Sequence, residues 1–223
     1  MPRPGSLQVP SRALEAVLYS WGVGLSRAGF GIMVLADNHG GPRHLLAVEA
    51  AAERLWRRHG FILVTPFCEV FSRMVSEDPE ILAVTGLAAD AIGGLSDLHA
   101  GTNETSLFMV LGEREILPPP AMVPPVEPPE VPRWARIISR ILEGLGAGRL
   151  SDEVWHLGIV SAWASREDVA HLGAPDRATR EAGERMFSYR VDLCEKLLDV
   201  ALTGERPRTP PPLWSLRILR FLP

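Results

Sequence analysis

The first third of the chain alternates helix-like and strand-like hydrophobic patterns. Between Ser11 and Ala28, apolar residues recur at spacings of three and four, which predicts a helix. The continuous apolar run Ile32–Ala36 predicts a strand buried on both faces of a parallel sheet. Leu45–Arg58 again has helical spacing, and Phe61–Val64 is a second strand-like run. This order predicts right-handed βαβ units, and therefore an α/β fold with a largely parallel sheet.

The pattern is less regular further along the chain. We expect a short helix at Pro79–Ala89, a turn at Gly93–Gly94, a polar loop leading into a helix at Leu107–Leu111, a strand at Val154–Val160 and a long amphipathic helix at Pro175–Leu202. Eight prolines fall within residues 118–132, which predicts an extended surface excursion. The tail at 207–223 is Pro-rich and then apolar, so we expect it to dock on a neighbour. A length of 223 residues favours one domain over 1–223.

Composition excludes several classes of protein. The chain is 46% hydrophobic with a formal net charge of -4 and has no basic stripe, which argues against a nucleic-acid partner. Its apolar stretches are interrupted by charged residues, Gly or Pro, which argues against a membrane-spanning segment, and we expect a soluble protein with no membrane partner. Two cysteines and no signal-peptide pattern favour a cytoplasmic protein with reduced thiols.

The first candidate for chemistry follows the first predicted strand, at Asp37, Asn38, His39, Gly40 and Gly41. Ligands of open parallel sheets bind beyond the carboxyl ends of the strands, and the two glycines let the backbone approach a ligand or metal closely. The alternative is that the histidine is a hydrogen-bonded structural residue and that Gly-Gly is a plain turn.

The second candidate is the polar loop in which Asp97, His99 and Glu104 fall within eight residues. A histidine beside carboxylates supplies proton transfer, which suits hydrolysis. Alternatively, Glu104 and the two residues after it merely cap the next helix while Asp97 stays exposed. The remaining histidines lack partners at informative spacing: His44, His59, His156 and His171. The chain has no G-x-S-x-G elbow, P-loop or G-x-G-x-x-G turn, which disfavours covalent catalysis and nucleotide binding.

Three segments together resemble the creatininase (creatinine amidohydrolase) family. Residues 29–41 are similar to a family strand that ends in Asn-Gly-His-Gly-Gly-Asn. Residues 97–106, Asp-Leu-His-Ala-Gly-Thr-Asn-Glu-Thr-Ser, resemble the family signature Asp-x-His-Ala-Gly-Glu-x-Glu-Thr-Ser. Residues 173–183 are similar to the Gly-x-Pro-x-x-Ala-Thr-x-Glu-x-Gly opening of the last long helix. The three segments occur in the family's order.

The resemblance implies a three-layer α/β/α fold, a homo-oligomer that is often a hexamer, and metal-dependent hydrolysis of a C–N bond in a cyclic amide or related small molecule. It implies that His39 is a metal ligand, that His99 handles protons, and that Glu104 is a ligand or orients the site. It implies divalent ions, Zn, Mn or Fe, with two per site in the complete family site. The remaining site-loop residues by resemblance are Asp37, Asn38, Gly40, Gly41, Asp97, Gly101 and Thr102.

The chain also departs from the family pattern. The family's N-terminal Glu-x-His-Gly segment, which supplies most metal ligands, is not found in these 223 residues, so we expect the domain to be N-terminally incomplete. Gly41 stands where creatininase itself has a Glu ligand, and Thr102 replaces the first Glu of the signature. Two interpretations stay open: a metal-dependent amidohydrolase, or a non-catalytic relic that keeps the scaffold and the oligomer surfaces.

Overall fold

A computed structural model describes residues 9–75, 78–85, 97, 99–112, 120–166 and 170–207. The described residues divide into two compact units. The βαβ unit comprises the residues up to Ser72 together with those from Arg190 onward, and the helical unit comprises Arg73–Tyr189. The expectation of one domain over 1–223 stays a prediction.

The βαβ unit begins with α1 (Ser11–Arg27), β1 (Ile32–Val34), α2 (Pro42–His59) and β2 (Ile62–Val64). The two strands pair in parallel, with Ile32 opposite Ile62. α2 starts with proline in its first turn and ends at His59, and the following Gly60 has a left-handed φ of 62°, which suits a glycine after a helix. The predicted βαβ order is therefore confirmed, and the chain is compatible with the α/β class.

The core of the βαβ unit lies mainly along α2 and β2. The apolar side of α2 is buried at Leu45, Leu46, Ala47, Val48, Ala51, Ala52 and Leu55. All three residues of β2 are buried, and Ile62 and Val64 pack in one cluster with Ala201. The prediction that the first strand is buried on both faces is wrong, because Val34 is 40% exposed. Within the described residues β1 pairs with β2 alone, so its other edge has no neighbouring strand.

The boundaries between the units fall within α3 (Pro66–Val75) and α8 (Arg180–Leu202). The helical unit contains, among its described elements, α4 (Pro79–Thr85), α5 (Thr102–Leu111), α6 (Arg133–Gly144) and α7 (Gly148–Ala164), with 3₁₀ turns at Pro120–Met122 and Pro175–Arg177. Leu107 of α5 packs with Ala182 and Met186 of α8 in a buried cluster. α6 and α7 pair as a helical hairpin.

The predicted strand at Val154–Val160 is wrong, since these residues lie inside α7. A seven-residue apolar run does not by itself distinguish a strand from a buried helix. The buried positions Ser151, Val154 and Gly158 follow helical spacing, and the element continues for 17 residues. The 17-residue length of the element and the helical spacing of its buried positions therefore identify this segment as a helix.

The helix predicted at Pro175–Leu202 begins later than expected, at Arg180. Its first segment is a 3₁₀ turn, and Thr179 caps the helix by accepting a hydrogen bond from the Ala182 N–H at 3.1 Å. The helix predicted at Pro79–Ala89 is confirmed as α4 as far as Thr85. Residues 86–89 and the turn predicted at Gly93–Gly94 lie outside the described residues.

The described part of the Pro-rich segment, residues 120–132, contains no buried residue, as expected of a surface excursion. Residues 118 and 119 and the tail from 208 onward lie outside the described residues. Among the helices of the described ranges, none combines the length and apolar character needed to cross a bilayer.

Candidate functional site

The turn after β1 is organised by Asp37. One carboxylate oxygen of Asp37 accepts the backbone N–H of His39 at 2.9 Å, and the other lies 2.6 Å from Nε2 of His44. Burial alone raises the Asp37 pKa, but the hydrogen bonds from His44 and from the His39 backbone outweigh it, so the pKa is lowered. The carboxylate is therefore held ionised beside two imidazoles.

The expectation that His44 lacks a partner is wrong. It lies in the first turn of α2, where its ring meets Asp37 and packs edge-on against the ring of His39, with 4.9 Å between ring centroids. The seven-residue separation of Asp37 and His44 gave no signal, because their contact depends on how residues 38–41 turn.

Two glycines make room around this turn. A Cβ on Gly40 would lie 2.7 Å from Cε2 of Phe71, and a Cβ on Gly41 would overlap Nε2 of His39. The imidazole of His39 thus lies against the backbone of Gly41, which only a residue without a side chain permits. Asn38 accepts a hydrogen bond from the guanidinium of Arg190.

In the helical unit, Asp97 caps the N-terminus of α5 from the preceding loop. Its side chain is 6% exposed and accepts the backbone N–H groups of Thr102 at 2.5 Å and of Asn103 at 2.8 Å. The alternative prediction, that this loop caps the following helix, is therefore correct in part. Asp97 rather than Glu104 makes the cap, and Asp97 is buried rather than exposed. Burial raises the Asp97 pKa to about 6, against the lowering effect of the two backbone hydrogen bonds.

The loop between Asp97 and α5 brings His99 and Glu104 together. His99 Nδ1 lies 3.7 Å from a carboxylate oxygen of Glu104, and the same oxygen accepts the Ala100 N–H at 2.6 Å. Ala100 adopts a left-handed φ of 48°, which costs a non-glycine residue roughly 1 kcal/mol. The His99 side chain remains 48% exposed, with its ring centroid 5.1 Å from that of Trp163. The imidazole is oriented by its neighbours and still open to a ligand.

The same loop is tied to the segment before α8. His99 and Leu172 exchange backbone hydrogen bonds at 3.3 and 2.8 Å, and Thr102 donates its hydroxyl to the Ala174 carbonyl at 2.8 Å. A Cβ on Gly101 or on Gly173 would overlap the Asp97 carboxylate. The glycines at these two positions are therefore needed for Asp97 to be buried between the two segments.

The side chains of the turn after β1 carry donor atoms of the types that bind the metals implied by the resemblance. His39, His44 and Asp37 offer the nitrogen and oxygen donors that Zn, Mn and Fe accept. Within the described ranges, however, no group of three His, Cys, Asp or Glu side chains is arranged to hold a metal ion. The donors fit by chemical type, and the assignment of His39 and Glu104 as ligands stays a prediction.

Residues 1–198 match the creatininase family, described as creatinine amidohydrolase. Family membership indicates a metal-dependent amidohydrolase in general, and the family's enzymes generally depend on a divalent metal. The chain belongs to the creatininase family. No curated protein and no solved structure matches it.

Proposed function

We propose that this chain hydrolyses a C–N bond of a cyclic amide or a related small molecule. The observation that carries the proposal is the His99–Glu104 pair, an exposed imidazole 3.7 Å from a carboxylate within residues matched to the family. By the resemblance we also propose the three-layer α/β/α fold and a homo-oligomeric assembly.

His99 is proposed to transfer the proton. Glu104 faces Nδ1 of the ring at 3.7 Å, so Nδ1 is the nitrogen proposed to carry a proton, and Nε2 the one proposed to exchange protons with a substrate. In the forward reaction, Nε2 takes a proton from the attacking water as the new C–O bond forms, and gives it to the leaving nitrogen as the C–N bond breaks. Asp97 holds the loop that carries both side chains, through its bonds to Thr102 and Asn103.

His39 and Glu104 are the proposed metal ligands. A divalent ion, when bound, lowers the pKa of its water towards neutrality and polarises the amide carbonyl. The imidazole of His39 contributes a nitrogen donor whose position is fixed by Gly41 and by the ring of His44.

The first experiment measures metal per chain by plasma mass spectrometry in protein purified without chelator. The matched control for His39→Ala is His59→Ala, at an exposed histidine of α2 that bonds the Tyr19 hydroxyl at 2.9 Å. We expect stoichiometric Zn, Mn or Fe in the wild type and in His59→Ala, and its loss in His39→Ala. Protein without stoichiometric metal would favour the non-catalytic relic.

The second experiment separates proton transfer from metal binding. His99→Gln should retain its metal but lose turnover of a cyclic amide by roughly 10²-fold or more, the usual contribution of acid–base catalysis. The control is His171→Gln, at a partly exposed histidine whose ring bonds the Pro124 carbonyl at 3.0 Å. Equal turnover in the two variants would contradict the role given to His99.

A further inference from the structure

Helix α6 packs with its small residues inward. Ala135 and Ser139 are its buried positions, and a Cβ on Gly158 of α7 would lie only 2.6 Å from that of Ala135. Ser139 donates its hydroxyl to the Ser151 carbonyl at 3.0 Å. The two helices therefore approach closely through small side chains, and the large apolar residues of α6 point elsewhere.

Those large residues form one row on the outside of α6, which continues to Leu145, the residue directly after the helix. Their exposed fractions are 46% for Trp134, 47% for Ile137, 42% for Ile138, 57% for Ile141 and 76% for Leu145. At 3.6 residues per turn they share one face, called here the outward stripe. Its exposed area is on the order of 500 Å², in the range of the largest and often functional patch on a soluble protein.

Arginines accompany the stripe. Arg133 and Arg140 are exposed, and their seven-residue separation places both along the same edge of the stripe, beside Ile137. Arg136 is also exposed, on the opposite face. None of the three arginines forms an ion pair within the described ranges, although the whole chain has a net charge of -4. The helix thus combines a wide apolar face with three exposed arginines and a single exposed carboxylate, Glu143.

We propose that the outward stripe docks α6 onto an anionic lipid surface. A helix with one apolar face, an aromatic residue and flanking arginines is typical of segments that lie in the plane of a membrane interface. The long stems of Arg133 and Arg140 let their guanidinium groups reach lipid phosphates while Ile137 and Ile141 enter the acyl boundary. This property is independent of the hydrolytic activity proposed above.

The same charges disfavour a second copy of the chain on the stripe. In a two-fold contact between antiparallel α6 helices, the edge that carries Arg133 and Arg140 would face the identical edge of the other copy. Like charges placed opposite one another in an interface oppose association. A lipid surface rich in phosphate has no such conflict.

The test is co-sedimentation of the full chain with phosphatidylcholine vesicles, with and without 30% phosphatidylglycerol. We expect at least tenfold tighter binding to the anionic vesicles, weakened by added salt. Arg133→Gln with Arg140→Gln should weaken binding by roughly fivefold per arginine. Ile138→Glu should weaken it at least tenfold, whereas Leu202→Glu, at a position 68% exposed on α8, should leave it unchanged.

Circular dichroism and the thermal midpoint of each variant verify folding, which substitution at exposed positions should preserve. Equal binding to neutral and anionic vesicles would overturn the proposal, as would binding that survives Ile138→Glu. Absence of vesicle binding, with an oligomer that Ile138→Glu converts to a monomer in light scattering, would also overturn it and assign the stripe to a second copy.

Discussion

Four glycine-to-alanine substitutions in the helical unit separate backbone strain from steric overlap. Gly144 lies in α6, where a Cβ added to it would have nothing within 4 Å, and Gly146 has equal space but a φ of 74°. Gly101 has a φ of -92°, yet its Cβ would overlap the Asp97 carboxylate and lie 2.9 Å from the Leu172 carbonyl. Gly173 combines overlap with Asp97 and a φ of 131°. Gly144 therefore has neither effect, Gly146 has only the backbone strain, Gly101 has only the steric overlap, and Gly173 has both.

The expected changes in the free energy of unfolding follow from these contacts. Gly144→Ala should stabilise by about 0.5–1 kcal/mol, because alanine restricts the unfolded chain and favours helix. Gly146→Ala should destabilise by about 1–2 kcal/mol through its left-handed backbone. Gly101→Ala should cost about 1–3 kcal/mol through overpacking, because Asp97 is fixed by two backbone hydrogen bonds. Gly173→Ala should cost about 4 kcal/mol, as both effects act together.

Urea unfolding followed by circular dichroism measures the series, and amide hydrogen exchange at Thr102 and Asn103 reports on the cap itself. Combining Gly101→Ala with Asp97→Ala completes a double-mutant cycle, in which removal of the carboxylate should relieve about 1–2 kcal/mol of the alanine's cost. Steric overlap at Gly101 would be refuted if Gly101→Ala costs no more than Gly144→Ala, or if the cycle shows no coupling between positions 97 and 101.

Three further predictions concern His156, the Gly41–His39 contact and the two cysteines. Burial lowers the His156 pKa to about 4, so the native state binds fewer protons than the unfolded state between pH 4 and 6.5. The stability that this group contributes is present above pH 6.5 and is lost on acidification. His156→Gln should therefore reduce, by about 3 kcal/mol, the loss of unfolding free energy on acidification. A variant whose unfolding free energy depends on pH as in the wild type would contradict this. Gly41→Ala should displace the His39 ring and abolish its nuclear Overhauser contact with His44, while Gly31→Ala, with open space around its Cβ, should keep it. Burial raises the Cys68 pKa to about 11, so iodoacetamide at pH 8 should label the half-buried Cys194 first, and prior labelling of Cys68 would refute this.

Local periodicity was sufficient to predict the βαβ order, because helix and strand repeats differ within each short segment of residues 11–64. It failed at Val154–Val160, where a strand-length apolar run belongs to the 17-residue α7. Helix α6 was not predicted either, although Trp134, Ile138 and Ile141 have helical spacing. This spacing begins directly after the Pro-rich segment at 118–132, for which an extended surface excursion was predicted.

Within the candidate site, sequence proximity predicted the correct neighbours where the contact is local. His99 and Glu104 meet because a single loop and the first turn of α5 carry both. The burial of Asp97 could not be predicted in this way, since it depends on Gly173, which is distant in sequence. The same is true of Asn38, whose partner Arg190 is 152 positions away.

The hydrogen bonds around Asp97 bear on how a family signature is interpreted. Asp97, Gly101, Thr102 and Gly173 are all explained by the fit between the loop and the segment before α8. In a descendant that had lost catalysis, replacing any of these four residues would still lower the stability of the fold. Matches to the family signature at such positions indicate common ancestry. The side chain of His99 is half-exposed, and its neighbours are Glu104 and Trp163. His99 is therefore the position at which the loss or retention of catalysis would be visible in the sequence.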